Sequence, residues 1–513
     1  PEDRADWPEA ALVPSAELFP ASLEGRTSVS DGDFWWMAWE GDPQAENGRP
    51  HPLGIIAEFR ILGWNYPLGN EDILYAIITY YNITSLDPAA YAGARTGMRD
   101  SLLSFATRFH DLNNEAFGIT IPAGGYTIEE FHAVYQADPD VASAFGNYAS
   151  VSLPLSMGYA WEEDFSAFAG WRFDPGINSD PFFPASGLVG FRMLGRAVRL
   201  FTVTTNDGVT LADPMNTTQL FRRASGQPES GCSYNPAATG ICFITSGQPY
   251  DIRTFQSIGP FTLAPGESVV QSVAIVHAAP LPGGGCPGAG CSVNPGNPAI
   301  IAGMDDPGIV AAGVNPIDSI AGFAGAQDFS GDGVLQGDEF LTVQRSLYWK
   351  AQVAEALFDR KFVLPQAPLA PNFFLIPEAE AVTVVWQPSL SEETGDPYFE
   401  IAHPAQAVNE DGAFVPNVLY DPNYRQFDVE GYRIYRGRID DPAAMELVAQ
   451  FDYAGTTISD YGGYVNPTQF CAPEISVTAD CAAAFDPLQP GTARTIHVDH
   501  PLAGQVNQTR PGD

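Results

Sequence analysis

Two neighbouring runs, GIIAEFRILGWNY (54–66) and DILYAIITYYNIT (72–84), constrain the fold more than any other feature. The second is rich in β-branched and aromatic residues with few polar interruptions. That is the pattern of a strand covered on both faces. The turn PLGN (67–70) between them predicts an antiparallel hairpin. Further strand candidates are ASVSLPLSMGYAW (149–161), GLVGFRMLG (187–195) and AVRLFTVTT (197–205). FTLAPGESVVQSVAIVHA (261–278) reads as strand, Pro-Gly turn, strand. The 50 glycines and 44 prolines favour short strands and many turns over helical bundles. The expected fold class is mainly β: a large antiparallel β-sandwich-like domain with helical insertions.

The insertions are expected at about 88–137. AAYAGARTGMRDSLLSFATRFHDL (89–112) sets Met98, Leu102, Phe105 and Phe109 at three- and four-residue spacing, one apolar stripe. TIEEFHAVYQA (127–137) opens on Thr127 with Glu130 three residues on, a capping-box pattern that predicts a second helix. The large domain covers 1–299. A turn and helix at 300–362 follow, then a stiff proline-rich linker at 363–378, then a smaller module at 379–513.

The chain of 513 residues carries 62 acidic and 24 basic side chains, a formal charge of −38. Its only lysines are Lys350 and Lys361. Such a surface repels nucleic-acid phosphates and anionic membranes and attracts divalent cations. Much of it also serves simply as a solvating coat. No run of roughly 18 apolar residues predicts a membrane span, and the first residues, PEDRADWPEA, lack the basic start and apolar stretch of a signal peptide. If the protein is exported, this is expected to be its mature chain.

Six cysteines fall into local pairs, Cys232 with Cys242, Cys286 with Cys291, and Cys471 with Cys481. Each pair brackets a loop, and none has the spacing of a zinc or redox site. Three loop-closing disulfides are expected, which places the protein in an oxidising compartment, secreted or at a cell surface. Six free thiols in a cytosolic protein are the competing reading.

The segment DFSGDGVLQGDE (328–339) has oxygen-bearing groups where a calcium loop needs them. Asp328, Ser330, Asp332, the carbonyl of Val334, Gln336 (through a water) and Glu339 fill the first, third, fifth, seventh, ninth and twelfth positions. Gly333 supplies the sharp turn at the sixth. A helix is predicted to leave the loop over 339–362, with Glu339 as the bidentate ligand. The entering segment, NPIDSIAGFAGAQ (315–327), is Gly-rich and a poor helix. The motif therefore resembles the EF-hand-like loops of secreted bacterial proteins more than paired cytosolic sensors. The resemblance implies one structural Ca2+ that fixes the angle at which the helix leaves.

The final module resembles a fibronectin type III-like domain. The match lies in VTVVW with Trp386, in GYRIYR (431–436) and in the strand leading to TTISD (456–460). No segment of the Tyr-x-Val-x-Ala kind closes it. RTIHV (494–498) is the candidate for that strand; without it the open edge would invite a strand from another subunit.

DFWWMAWEGD (33–42) concentrates Trp35, Trp36 and Trp39. Adjacent tryptophans on a strand point to opposite faces, so core packing or a subunit contact is favoured over a sugar-stacking platform. The acids Glu162, Glu163 and Asp164, and His497, Asp499 and His500, have the residue types of a glycosidase pair or a metal grip, but nothing orients them. Sequons stand at Asn82, Asn216 and Asn507. There is no HExxH, GxSxG or P-loop. The sequence reading is a secreted, non-enzymatic, calcium-stabilised structural protein that self-assembles into a homo-oligomer, fibre or layer. A carbohydrate-binding or carbohydrate-active protein, with glycans as partners, is the alternative.

Overall fold

The computed structural model describes residues 8–13, 17–26, 28–43, 52–141, 146–152, 155–162, 188–196, 198, 200–205, 213–214, 216–227, 242–243, 250–278, 331, 347–365, 367–379, 381–408, 412–427, 429, 431–439, 441, 444–452, 455–460 and 494–498. The chain divides into two compact units, Pro1–Leu364 with Ala402–Pro422, and Pro365–Ile401 with Asn423–Asp513. The division falls inside the expected linker, but residues 402–422, expected in the C-terminal module, group with the first unit.

The first unit is built mainly on antiparallel sheet, with one short parallel pairing. β1 (Phe34–Glu40), β2 (Ile55–Gly63) and β3 (Ile73–Asn82) open a seven-stranded sheet. β5 (Asn147–Ser152), β6 (Met157–Glu162), β7 (Leu188–Leu194) and β11 (Ser268–Ala278) complete it, in the order β1-β2-β3-β11-β7-β6-β5. A four-stranded sheet has the order β4-β10-β8-β9, from β4 (Ile128–Ala137), β8 (Leu200–Thr205), β9 (Cys242–Phe243) and β10 (Ile252–Leu263). β2 and β3 form the expected hairpin, pairing from Ile55 opposite Asn82 to Gly63 opposite Leu74. The run 149–161 is itself a hairpin, β5 against β6.

Strand alternation sends successive side chains to opposite faces. Ile55, Ala76, Val189, Phe191, Met193 and Val273 of the larger sheet share one buried cluster with Ile128, Phe131, Ala133, Ile252 and Ile258 of the smaller. The opposite face of β2 and β3 (Ile56, Tyr81) packs on α1 (Thr96–Phe117) through Met98, Leu102, Ala106 and Phe109. The predicted stripe thus forms, with Phe105 at its margin. β3 is covered on both faces, as its composition requires.

The segment 127–137 is a strand, not a helix: β4 pairs antiparallel with β10. The capping-box residues are overruled by burial. Ile128, Phe131 and Ala133 enter the shared core, and a regular helix cannot present them there while pairing with β10. The cost is an irregular register between Ile258 and Phe261 and a left-handed Glu130, φ +52°. The strand–turn–strand at 261–278 also differs from a simple hairpin, because β10 and β11 belong to different sheets.

Buried charge ties the outer elements down. The Glu58 carboxylate accepts from Trp35 Nε1 (2.9 Å) and Tyr81 OH (3.1 Å) and pairs with Arg95. Arg95 in turn donates to the carbonyl of Ala10 at 2.8 Å, so the first described segment is held beneath β2. Asn82 is fully buried and donates to the carbonyls of Tyr126 and Leu263, each at 2.9 Å. Its sequon is therefore inaccessible in the fold. Asn216 caps α2 (Thr217–Ala224), accepting from Gln219 N at 3.0 Å.

In the second unit, β12 (Phe373–Glu378) pairs with β13 (Ala381–Trp386). The end of the expected linker is thus half of a hairpin. Its sequence hides this behind four prolines, but the two apolar runs pair with each other, ending with Glu378 opposite Ala381. The returning segment 402–422 of the first unit carries a short hairpin of its own, β14 (Gln406–Val408) against β15 (Phe414–Pro416). Back in the second unit, β16 (Gly431–Arg436), β17 (Glu446–Asp452), β18 (Gly455–Asp460) and β19 (Arg494–Val498) form one antiparallel sheet in chain order. RTIHV is therefore a strand of this chain's own sheet, with Ile496 opposite Ile458.

Candidate functional site

The six predicted calcium ligands, Asp328, Ser330, Asp332, Val334, Gln336 and Glu339, lie outside the described residues, as does Gly333. Gly331, the fourth residue of the loop, is exposed with φ +73°. Of the helix predicted over 339–362, Leu347–Asp359 is described as α3 and 360–362 lie beyond its end; its seating is specific. Arg192 of β7 donates to the carbonyl of Ala351 (2.7 Å) and to Gln352 Oε1 (3.2 Å), and its Nε lies 3.1 Å from Glu355. Lys350, one of the two lysines, contacts Asp72 (2.5 Å) and the carbonyl of His277 (2.9 Å). Beyond the helix, the Phe362 ring meets Tyr75 edge-on at 4.9 Å and stacks on Trp64 at 5.1 Å. α3 is thus fixed to the larger sheet.

Among the described residues, one cluster has the geometry to hold a cation: Asp138, Asp140 and Asp251. Partial burial, Asp138 and Asp251 push the Asp140 carboxyl above its ordinary value. Arg253 already neutralises part of this charge, 3.1 Å from Asp138 and 2.9 Å from Asp213. The sequence reading did not single out this cluster, whose members come together only through the pairing of β4 with β10.

The tryptophans divide as strand geometry dictates. Trp35 and Trp39 face the α1 core, Trp35 on Glu58 and Trp39 against Phe105 (5.4 Å) and beneath the Arg108 guanidinium (5.3 Å). Phe34 and Trp36 take the other face and are 65% and 42% exposed. Trp36 stacks flat on its cross-strand partner Phe59 at 4.8 Å. β1 is an edge strand, and these rings lie beyond the shared core.

Cys242 sits in β9, opposite Leu200 of β8. Cys232, Cys286, Cys291, Cys471 and Cys481 lie outside the described residues, as do Glu163, Asp164, Asp499, His500 and Asn507. Glu162 ends β6, and His497 pairs with Thr457 within β19.

The most unusual described surface is the β12–β13 hairpin. Phe373, Phe374, Leu375 and Ile376 are consecutive and each 50–62% exposed, with Val382 and Val385 exposed opposite. Consecutive exposure means that, among the described residues, neither face of β12 is covered. Trp386, at the end of β13, packs on Tyr432 at 5.6 Å. No known protein-family model matches the chain, and no curated protein is significantly similar to it. No described helix is long and apolar enough to cross a membrane.

Proposed function

We propose that the chain is an extracellular, non-enzymatic structural protein that assembles with copies of itself, stabilised by Ca2+ in the 328–339 loop. The β12–β13 hairpin carries this reading. Water-exposed apolar strands are a pairing template that monomeric proteins normally blunt, and a two-stranded ribbon is marginal alone. A second copy offers the same ribbon, so edge-to-edge pairing is self-complementary. In this reading the second unit is a fibronectin type III-like β-sandwich and the first unit a larger one. Loop disulfides fit the same extracellular setting. Sedimentation velocity with and without calcium and salt tests the proposal. Growth of the wild type into larger species supports it, and a monodisperse monomer at high salt with calcium refutes it.

Phe34 and Trp36 favour a second reading, glycan binding, because exposed rings on one face can stack on a sugar. Glycan-array binding lost in Trp36→Ala would support it.

A further inference from the structure

Beside β4, the edge strand of the smaller sheet, lies a cavity of about 600 Å3. That is within the range of small-molecule sites. Its walls come from both sheets and α2: Ile55 and Tyr80 on one side, Phe131 of β4, and Leu220 and Phe221 of α2. The lining is mainly apolar, with three carboxylates at Glu40, Glu129 and Glu130 and the imidazole of His132, whose ring meets Phe221 edge-on at 5.8 Å; no described Lys or Arg contributes to it.

The backbone of β4 explains the acid. In a regular strand Glu129 and Glu130 would point to opposite faces. Glu130 is left-handed, and the register with β10 slips at this point, which breaks that alternation; Glu129 and Glu130 both line the cavity, as does every residue from Ile128 to Val134. Strained backbone of this kind is concentrated at ligand sites. Glu40 is partly committed, since Oε2 accepts from Leu53 N at 2.6 Å. Glu129 and Glu130 are exposed.

The charge pattern selects the ligand. Carboxylates beside aromatic rings repel an anion and attract a cation, both directly and through the ring faces. The apolar walls require that the cation carry a hydrophobic body. The chain's charge of −38 raises the local cation concentration further.

We propose that this cavity binds a small organic cation, an ammonium group on an apolar body. Glu129 and Glu130 face the charge; Phe131, Leu220 and Phe221 face the body. The site is independent of assembly through β12–β13.

Three probes of matched shape test it by calorimetric titration of the full chain at constant ionic strength: phenylpropylammonium, phenylpropanol and phenylpropanoate. The expected order of affinity is ammonium, then alcohol, then carboxylate. The double variant Glu129→Gln/Glu130→Gln should weaken ammonium binding roughly tenfold and leave the alcohol unchanged. Leu220→Trp should fill the cavity and weaken both. Because Glu129 and Glu130 are exposed, the double variant is decisive even if Leu220→Trp unfolds, which its circular-dichroism melt would reveal. Equal affinity for alcohol and ammonium, an unchanged double variant, or no binding at millimolar probe would overturn the proposal.

Discussion

The guanidinium of Arg192, in the middle of β7, donates to the backbone carbonyl of Ala351, 2.7 Å away in α3. Burial pushes this guanidinium below its ordinary value, against the opposing pull of Glu355. A charge desolvated to that degree is retained only where its partners are fixed. Arg192 and Lys350 therefore act as two pins through one helix, on the sheet face opposite the shared core.

Removing one pin should be costly. Arg192→Ala removes the partner of Gln352 and the charged partner of Glu355, which among the described residues keeps only the Gly195 N–H at 3.3 Å, and the expected loss is about 3 kcal/mol of unfolding free energy. Arg192→Lys should recover only part, because an ammonium cannot reproduce the planar fork. Urea titration followed by circular dichroism measures both. Equal stability of the wild type and the alanine variant would show that the helix is held by its apolar contacts alone.

If the 328–339 loop holds Ca2+, its loss should be read as a loss of stability. Glu339 lies eight residues before Leu347, where α3 begins. An ion bound by the folded loop alone should stabilise the protein by about 1–3 kcal/mol at roughly ten to a hundred times its dissociation constant. Asp328→Ala with Glu339→Ala should lower the melting temperature in calcium to that of the wild type in chelator. If the wild type melts at one temperature in both buffers, the loop holds no ion that matters to folding.

What the sequence reveals follows from which forces are local. β2 and β3 are legible because one turn and two apolar runs specify a hairpin on their own. The α1 stripe is legible for the same reason. Thr127 and Glu130 mislead because capping chemistry is local, whereas the burial of Phe131 and Ala133 depends on β10, more than a hundred residues away. The 261–278 run shows its two strands but not their separation, since periodicity is blind to which sheet a strand joins. Alternation along β1 correctly split the tryptophans. The cavity beside β4 and the Asp138–Asp140–Asp251 cluster could not be read, because each forms only when distant segments pair.

Buried tyrosines set an alkaline limit. Burial raises Tyr91 and Tyr135 to about 12 and raises Tyr80 and Tyr81 as well, with Tyr135 and Glu58 respectively adding to the rise. Their unfolded values lie near 10, so above that pH the unfolded chain binds fewer protons than the folded one. Stability is therefore full below about pH 10 and falls as pH rises toward 12. Each fully buried group contributes a loss of about 1.4 kcal/mol for every pH unit between its unfolded and folded values. Tyr91 is the cleanest case, fully buried with its hydroxyl donating to the Ser85 carbonyl at 2.7 Å. Tyrosinate absorbance should appear together with loss of secondary structure. Gradual ionisation with the fold intact would show that these rings reach water without unfolding.

The salt dependence of association distinguishes apolar pairing from ionic pairing. Two chains of charge −38 repel, and that repulsion is screened over about 10 Å at 0.1 M salt and about 3 Å at 1 M. If Phe373–Ile376 drive association, added salt weakens the repulsion and leaves the apolar gain, so assembly strengthens. If complementary charges drove it, the same salt would weaken it. Phe374→Asp should keep the chain monomeric across the whole range, since it places a charge on the ribbon and adds to the repulsion. The position is exposed, so the melting temperature should hardly move. Assembly that persists in Phe374→Asp but is lost in Trp36→Asp would transfer the contact to β1, whose exposed rings are another bare strand surface among the described residues.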